Sequence, residues 1–113
     1  MVIDKDNNAT LSYGVMGGQY QPVGQVHVLN NMIDYGMGPQ EALSFPRAFH
    51  FNNIYKLEKT VDKEIFYGLK EVGHNVENID GTHGGGQAIK INRSEGDLLG
   101  GSDPRKDGYA KGY

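Results

Sequence analysis

The stretch Ala9-Thr10-Leu11-Ser12-Tyr13-Gly14-Val15-Met16-Gly17-Gly18-Gln19-Tyr20-Gln21-Pro22-Val23 changes its periodicity in the middle. Up to Met16, Leu11, Tyr13 and Val15 alternate with Thr10, Ser12 and Gly14. That is the period of two of a half-buried strand. Beyond Pro22 the apolar residues recur at Val23, Val26, Leu29, Met32 and Ile33, a helical spacing. Gly17-Gly18 separates the two periods. The stretch predicts a strand, a glycine turn and a helix over 22–35. Pro22 sits in the first helical turn, where its missing N–H is tolerated, and Gly36 supplies the stop.

Working outward, Met1-Val2-Ile3 and the polar cluster Asp4-Lys5-Asp6-Asn7-Asn8 predict a hairpin with 9–16. Gly38-Pro39-Gln40-Glu41-Ala42-Leu43 predicts a short helix that Pro46 ends. A strand is predicted at 53–57. Asp62 is placed to cap a helix over 63–72, with Ile65, Phe66, Leu69 and Val72 on one face and Gly73 after it. The rest reads as a strand at 74–79, a loop at 81–86, a strand at 87–91, a turn at 92–96, a strand at 97–101 and an irregular polar tail from Ser102. Because the strands come in hairpins, the predicted class is α+β, an antiparallel sheet with helices on one face, not a doubly wound fold.

Composition narrows the functional classes. The 113 residues suffice for a single domain, 1–113. A hydrophobic share of 37% and 17 glycines imply many tight turns or surfaces on which something packs. A net charge of −3 offers no electrostatic footing for nucleic acid. With no cysteine, disulfides and thiolate chemistry are excluded. His27, His50, His74 and His83 lack metal-ligand spacing, so no metal and no cofactor are expected. No run approaches the ~20 apolar residues of a membrane span. The N-terminus has no signal-peptide pattern and reads as the middle of a hairpin, as if the chain began inside a larger protein. The compartment stays open.

Few residues carry chemistry by pattern alone. Gly17-Gly18 before a helix leaves backbone N–H groups near the positive end of the dipole, which suits an oxyanion. A plain tight turn is the competing reading and, on two glycines, the weightier one. Gly84-Gly85-Gly86 fits no phosphate-loop motif and a strand follows it. Ser12, Ser44, Ser94 and Ser102 sit in no nucleophile elbow. Asp34, Glu41, Asp62, Glu64 and Asp103 read as solvated carboxylates. Arg105, Lys106 and Lys111, interleaved with Asp103 and Asp107, read as a solvated mixed-charge tail.

Four separated motifs, in order, carry a resemblance. They are Gly14-Val15-Met16-Gly17-Gly18-Gln19-Tyr20-Gln21-Pro22; Asn30-Asn31-Met32-Ile33-Asp34-Tyr35-Gly36-Met37; Glu41-Ala42-Leu43 with Pro46-Arg47; and Ser102-Asp103-Pro104-Arg105 with the closing Gly112-Tyr113. Together they resemble the C-terminal part of the small subunit of γ-glutamyltranspeptidases. The resemblance implies part of the αββα sandwich of N-terminal nucleophile hydrolases. It implies cleavage of γ-glutamyl amides, glutathione among them, by a Thr exposed by self-cleavage. It assigns Gly17 and Gly18 to the backbone oxyanion hole.

The nucleophilic Thr and most γ-glutamyl contacts have no counterpart here, since Thr10, Thr60 and Thr82 match no nucleophile motif. The implied partner is therefore the upstream, large-subunit portion, and the chain alone is expected to be inactive. Exposed sheet surface implies self-association. Gln19 stands where transpeptidases often carry a small hydroxyl residue, which resembles an acylase-type branch with another acyl substrate. The alternatives are a non-enzymatic module that binds a partner through a sheet edge, and a small anion-binding protein.

Overall fold

The computed structural model describes residues 1–112; Tyr113, the last residue of the closing motif, lies outside the described residues. The chain divides into two compact units, one of residues 1–45 with the chain from Gly84 onward, the other of residues 46–83.

In the first unit β1 (Val2–Ile3), β2 (Ala9–Met16), β6 (Gly85–Asn92) and β7 (Asp97–Ser102) form a four-stranded sheet in the order β1-β2-β6-β7. Every pairing is antiparallel, as the hairpin pattern predicts. Leu11, Val15, Gly86, Ala88 and Gly101 point to one face and are buried. The helices α1 (Gln21–Ile33) and α2 (Pro39–Ser44) cover that face. Gly24 of α1 lies so close to Val15 that a Cβ there would stand 2.7 Å from its Cγ1. Leu43 of α2 packs over Gly86 in the same way. On the opposite face Ser12, Gly14, Met16, Gln87 and Ile89 are exposed.

The helix face read from the sequence is corrected. The predicted stripe ran through Val23, Val26, Leu29, Met32 and Ile33, but the buried residues are Gly24, Val28, Asn31 and Met32. Val28 is fully buried while Val26 and Ile33 are 57% and 63% exposed. The helix carries two apolar stripes, and spacing alone does not say which one meets the sheet.

The second unit holds β3 (Ala48–Phe51), β4 (Ile54–Glu58), α3 (Lys63–Glu71) and β5 (Val76–Ile79). Asp62 caps α3 by accepting the Glu64 N–H at 2.8 Å, as expected. The predicted face of α3 is only half covered: Phe66 and Leu69 are half-buried, Ile65 and Val72 exposed. Two features differ from the sequence reading. β3 is an additional strand, too short to show a period. β4 and β5 pair in parallel, because α3 carries the chain back to the start of the sheet before β5 begins.

A buried clasp closes this unit. The Glu58 carboxylate accepts the Arg47 N–H at 3.0 Å and the His83 N–H at 2.8 Å. Arg47 Nη1 donates to the His83 carbonyl at 2.8 Å. The clasp therefore ties together the two ends of the segment.

Three further readings are corrected. β6 begins at Gly85, inside the segment predicted as a loop. Asp34, Glu41, Asp62 and Glu64 are exposed, but Asp103 is 1% exposed and is not a solvated carboxylate. The tail is not simply solvated either, because Arg105 pairs with Asp103. Burying both groups is sustainable only with this mutual pairing and full hydrogen bonding.

Candidate active site

Gly17 follows the end of β2, and Gly18 opens the 3₁₀ turn Gly18–Tyr20, which leads directly into α1. Both are exposed. Their φ values are 139° and 56°, a region that glycine enters without steric cost. The turn closes through the Tyr20 N–H donating to the Gly17 carbonyl at 3.1 Å. Amides at the head of a helical turn have no carbonyl one turn earlier to receive them, and the helix dipole adds positive potential there.

The two glycines have different surroundings. A Cβ on Gly17 would lie 2.8 Å from Gly84 Cα, and one on Gly84 would collide with the Met16 carbonyl and the Tyr20 ring. Gly17, Gly84 and Tyr20 thus interlock. Around Gly18 an added Cβ meets nothing within 4 Å. The turn is anchored from below by Gly17 and open above at Gly18.

The start of β6, which supports Gly17 through Gly84, is itself clamped. Asp103 Oδ2 accepts the Gly86 N–H at 2.9 Å, and the Asp103 N–H donates to the Gly86 carbonyl at 3.0 Å. Oδ1 accepts from the Arg105 backbone at 3.0 Å and from its Nη1 at 3.1 Å. The Arg105 guanidinium then donates to the Leu43 and Phe45 carbonyls, each at 2.9 Å. Gln40 completes the clamp, exchanging two hydrogen bonds with the Ser102 backbone at 2.8 and 3.0 Å. Only the closing motif Ser102-Asp103-Pro104-Arg105 pointed to these residues in the sequence, and their composition alone suggested solvent.

A pocket of about 520 Å³ opens on the neighbouring sheet surface, lined by Gly14, Val15, Met16, Gln21, Gln25, Gly85, Gly86, Gln87 and Lys106. Gln25 Nε2 donates to the Val15 carbonyl at 3.4 Å. The Tyr13 hydroxyl donates to the Gln25 carbonyl at 3.2 Å, and burial raises its pKa. Thr10 Oγ1 donates to the Val2 carbonyl at 3.3 Å and belongs to the hairpin, while Thr60 and Thr82 lie in the other unit. Among the described residues no three His, Asp or Glu side chains are grouped to hold a metal, and no helix is long and apolar enough to cross a membrane.

Comparison with known proteins agrees with this architecture. The family described as Gamma-glutamyltranspeptidase matches residues 1–113. The glutathione hydrolase-like YwrD proenzyme of Bacillus subtilis (strain 168) is 37% identical over 98% of this chain, which spans only 23% of that relative's length. The cephalosporin acylase structure from Bacillus halodurans superposes with a TM-score of 0.82 at 37% identity, covering 89% of this chain and 20% of that one. The γ-glutamyltranspeptidase of Pseudomonas nitroreducens, complexed with L-DON, shares the fold: TM-score 0.86, 24% identity, 100% of this chain and 60% of that one. The interlocked glycine turn thus sits in a mixed α+β chain that belongs to the γ-glutamyltranspeptidase family of N-terminal nucleophile hydrolases.

Proposed function

We propose that this chain supplies the oxyanion-stabilising turn of an acyl-transferring amide hydrolase. The observation that carries the reading is the positive-φ glycine pair at the head of the 3₁₀ turn that leads into α1, held from below at Gly17 and open at Gly18. A Thr supplied by the remaining polypeptide attacks the substrate amide carbon through its Oγ, and its α-amine takes the hydroxyl proton. The carbonyl oxygen becomes an oxyanion, which the Gly17 and Gly18 N–H groups stabilise. The proton passes to the leaving amine as the C–N bond breaks. Water or an acceptor amine then attacks the acyl-enzyme ester and frees the Thr. One such donor is worth ~3 kcal/mol in the transition state.

The leading substrate class is the γ-glutamyl amide, glutathione-like. Gln19 after the glycine pair favours an acylase-type variation of it, and the relatives include both a glutathione hydrolase-like protein and a cephalosporin acylase. The test uses the full-length polypeptide with γ-glutamyl-p-nitroanilide. Asn and Asp accept a left-handed φ, so Gly18→Asn and Gly18→Asp keep the turn while covering its outer side. Either is expected to lower kcat by about 10²-fold or more without shifting Tm, with Asp the worse because it repels an oxyanion. Unchanged kcat in both sinks the reading. The 113-residue chain alone is expected to give no turnover; hydrolysis by it would overturn the external nucleophile.

One observation favours a second reading. β1 covers the outer edge of β2 only opposite Ala9 and Leu11, so the later part of that edge offers backbone groups to another strand. A full-length product that binds a partner but hydrolyses no amide supports this non-enzymatic module.

A further inference from the structure

Tyr20 closes the turn that Gly17 and Gly18 open, and it is only 3% exposed while both glycines face solvent. Its ring sits in a socket of glycines. A Cβ on Gly24 would stand 2.6 Å from Tyr20 Cε1 and 3.1 Å from Cδ1. One on Gly84 would stand 2.9 Å from Cδ1 and 3.3 Å from Cε1. One on Gly17 would lie 3.5 Å from Tyr20 Cβ. The same ring edge is therefore held from α1 and from the approach to β6. Glycine offers the ring only backbone, which has no rotamer with which to turn aside. The ring is fixed, and the Tyr20 backbone with it.

That backbone reaches the candidate donors through one peptide unit. The Gly17 carbonyl and the Gly18 N–H belong to the same peptide, which is planar and trans. In such a unit the carbonyl and the N–H point in opposite directions. The Tyr20 N–H holds the Gly17 carbonyl at 3.1 Å, inside the turn. The Gly18 N–H is thereby directed outward. One residue on, the Gln21 N–H donates to the Gly18 carbonyl and fixes the next peptide in the same sense. Between two glycines no side chain resists rotation of the intervening peptide. A flipped unit would aim its carbonyl at an oxyanion and repel it.

We propose that Tyr20 is the positioning residue of the glycine turn. Its ring, seated among Gly17, Gly24 and Gly84, holds its own amide in place, and that amide locks the Gly17–Gly18 peptide with the N–H outward. The donor is then oriented before the oxyanion forms and need not turn as charge develops. Tyr20 acts through the peptide and not on the substrate. The catalytic use of the lock rests on the previous section, whereas the lock itself does not.

The test uses the full-length polypeptide. In the unmutated protein the Tyr20 amide is expected to exchange with solvent at least about 10²-fold more slowly than the Gly18 amide. Activity is read with γ-glutamyl-p-nitroanilide, active sites being counted from the acyl-enzyme burst so that unfolded protein is not taken for slow turnover. Tyr20→Leu is expected to lower kcat per site by about tenfold or more with KM within about twofold. Tyr20→Phe, which keeps the ring, is expected to recover it. Equal exchange at the two amides, an unchanged kcat per site in Tyr20→Leu, or an equal loss in Tyr20→Phe overturns the proposal. Should Tyr20→Leu give no folded protein, the exchange measurement decides. A protected Tyr20 amide in a full-length protein without amidase activity would sink the catalytic reading and leave the lock standing.

Discussion

Gly17 and Gly18 are adjacent, both have positive φ, and they tolerate change differently. Gly17→Ala meets Gly84 Cα and a strained φ together, so a loss of ~2–3 kcal/mol is expected from urea unfolding. Gly18→Ala meets only the left-handed backbone cost, ~1 kcal/mol. Equal losses at the two positions would contradict the interlock. At Asp103 the stakes are larger, because removing the carboxylate leaves the Arg105 guanidinium buried without its partner. Asp103→Ala is expected to cost about 3–5 kcal/mol in the same assay. Asp4 illustrates a milder electrostatic role. Its carboxylate accepts the Asn8 and Asp6 N–H groups at 2.9 Å each, and the Asn8 backbone bond foremost lowers its pKa. A depressed folded pKa means the contribution is complete above the ordinary carboxylate value, near about 4. It is lost as pH falls through the depressed one. An NMR titration should therefore show the 4–8 turn loosening only at acidic pH. At this scale the glycine pair was legible because glycine punctuates a pattern. Asp103 was not, because a carboxylate in a polar tail looks the same whether it is solvated or buried until the chain folds back on it.

The helix α1 shows what periodicity reports and what it leaves out. Spacing revealed that a helix follows the glycine turn, and its bounds came within two residues of the prediction. It could not choose between the Gly24-Val28-Met32 and the Val26-Leu29-Ile33 stripes, since both are apolar. Gly24 decides the matter: only a side chain-free position lets the helix approach Val15 and Tyr20. Val28→Ala is accordingly expected to cost ~1.5–3 kcal/mol, and Val26→Ala less than about 0.5, by thermal unfolding. A reversed order would mean that the helix is rotated. β3 and the parallel β4–β5 pairing escaped the sequence for a related reason. A four-residue strand has too few positions to display alternation, and strand direction depends on where α3 deposits the chain.

For the molecule as a whole, the α+β class and the antiparallel principal sheet were legible, because hairpin turns and alternating strands are local signals. The division into two units was not, because it depends on long-range closure. The exposed face of the principal sheet carries Met16, Ile89 and Leu98 at 54%, 47% and 66% exposure. Self-association of the isolated chain is therefore expected, and a clean monomer by light scattering at high concentration would refute it. The Glu58 clasp has a kinetic side. β2 must find β6 across a long intervening segment, and that closure is paid in chain entropy. Once Glu58 has gathered Arg47 and His83, most of residues 46–83 is short-circuited and the loop to be closed is roughly halved, worth about 0.6 kcal/mol. A carboxylate remote in sequence from both strands thereby brings forward their meeting during folding, and its loss should appear in the refolding rate of the principal sheet.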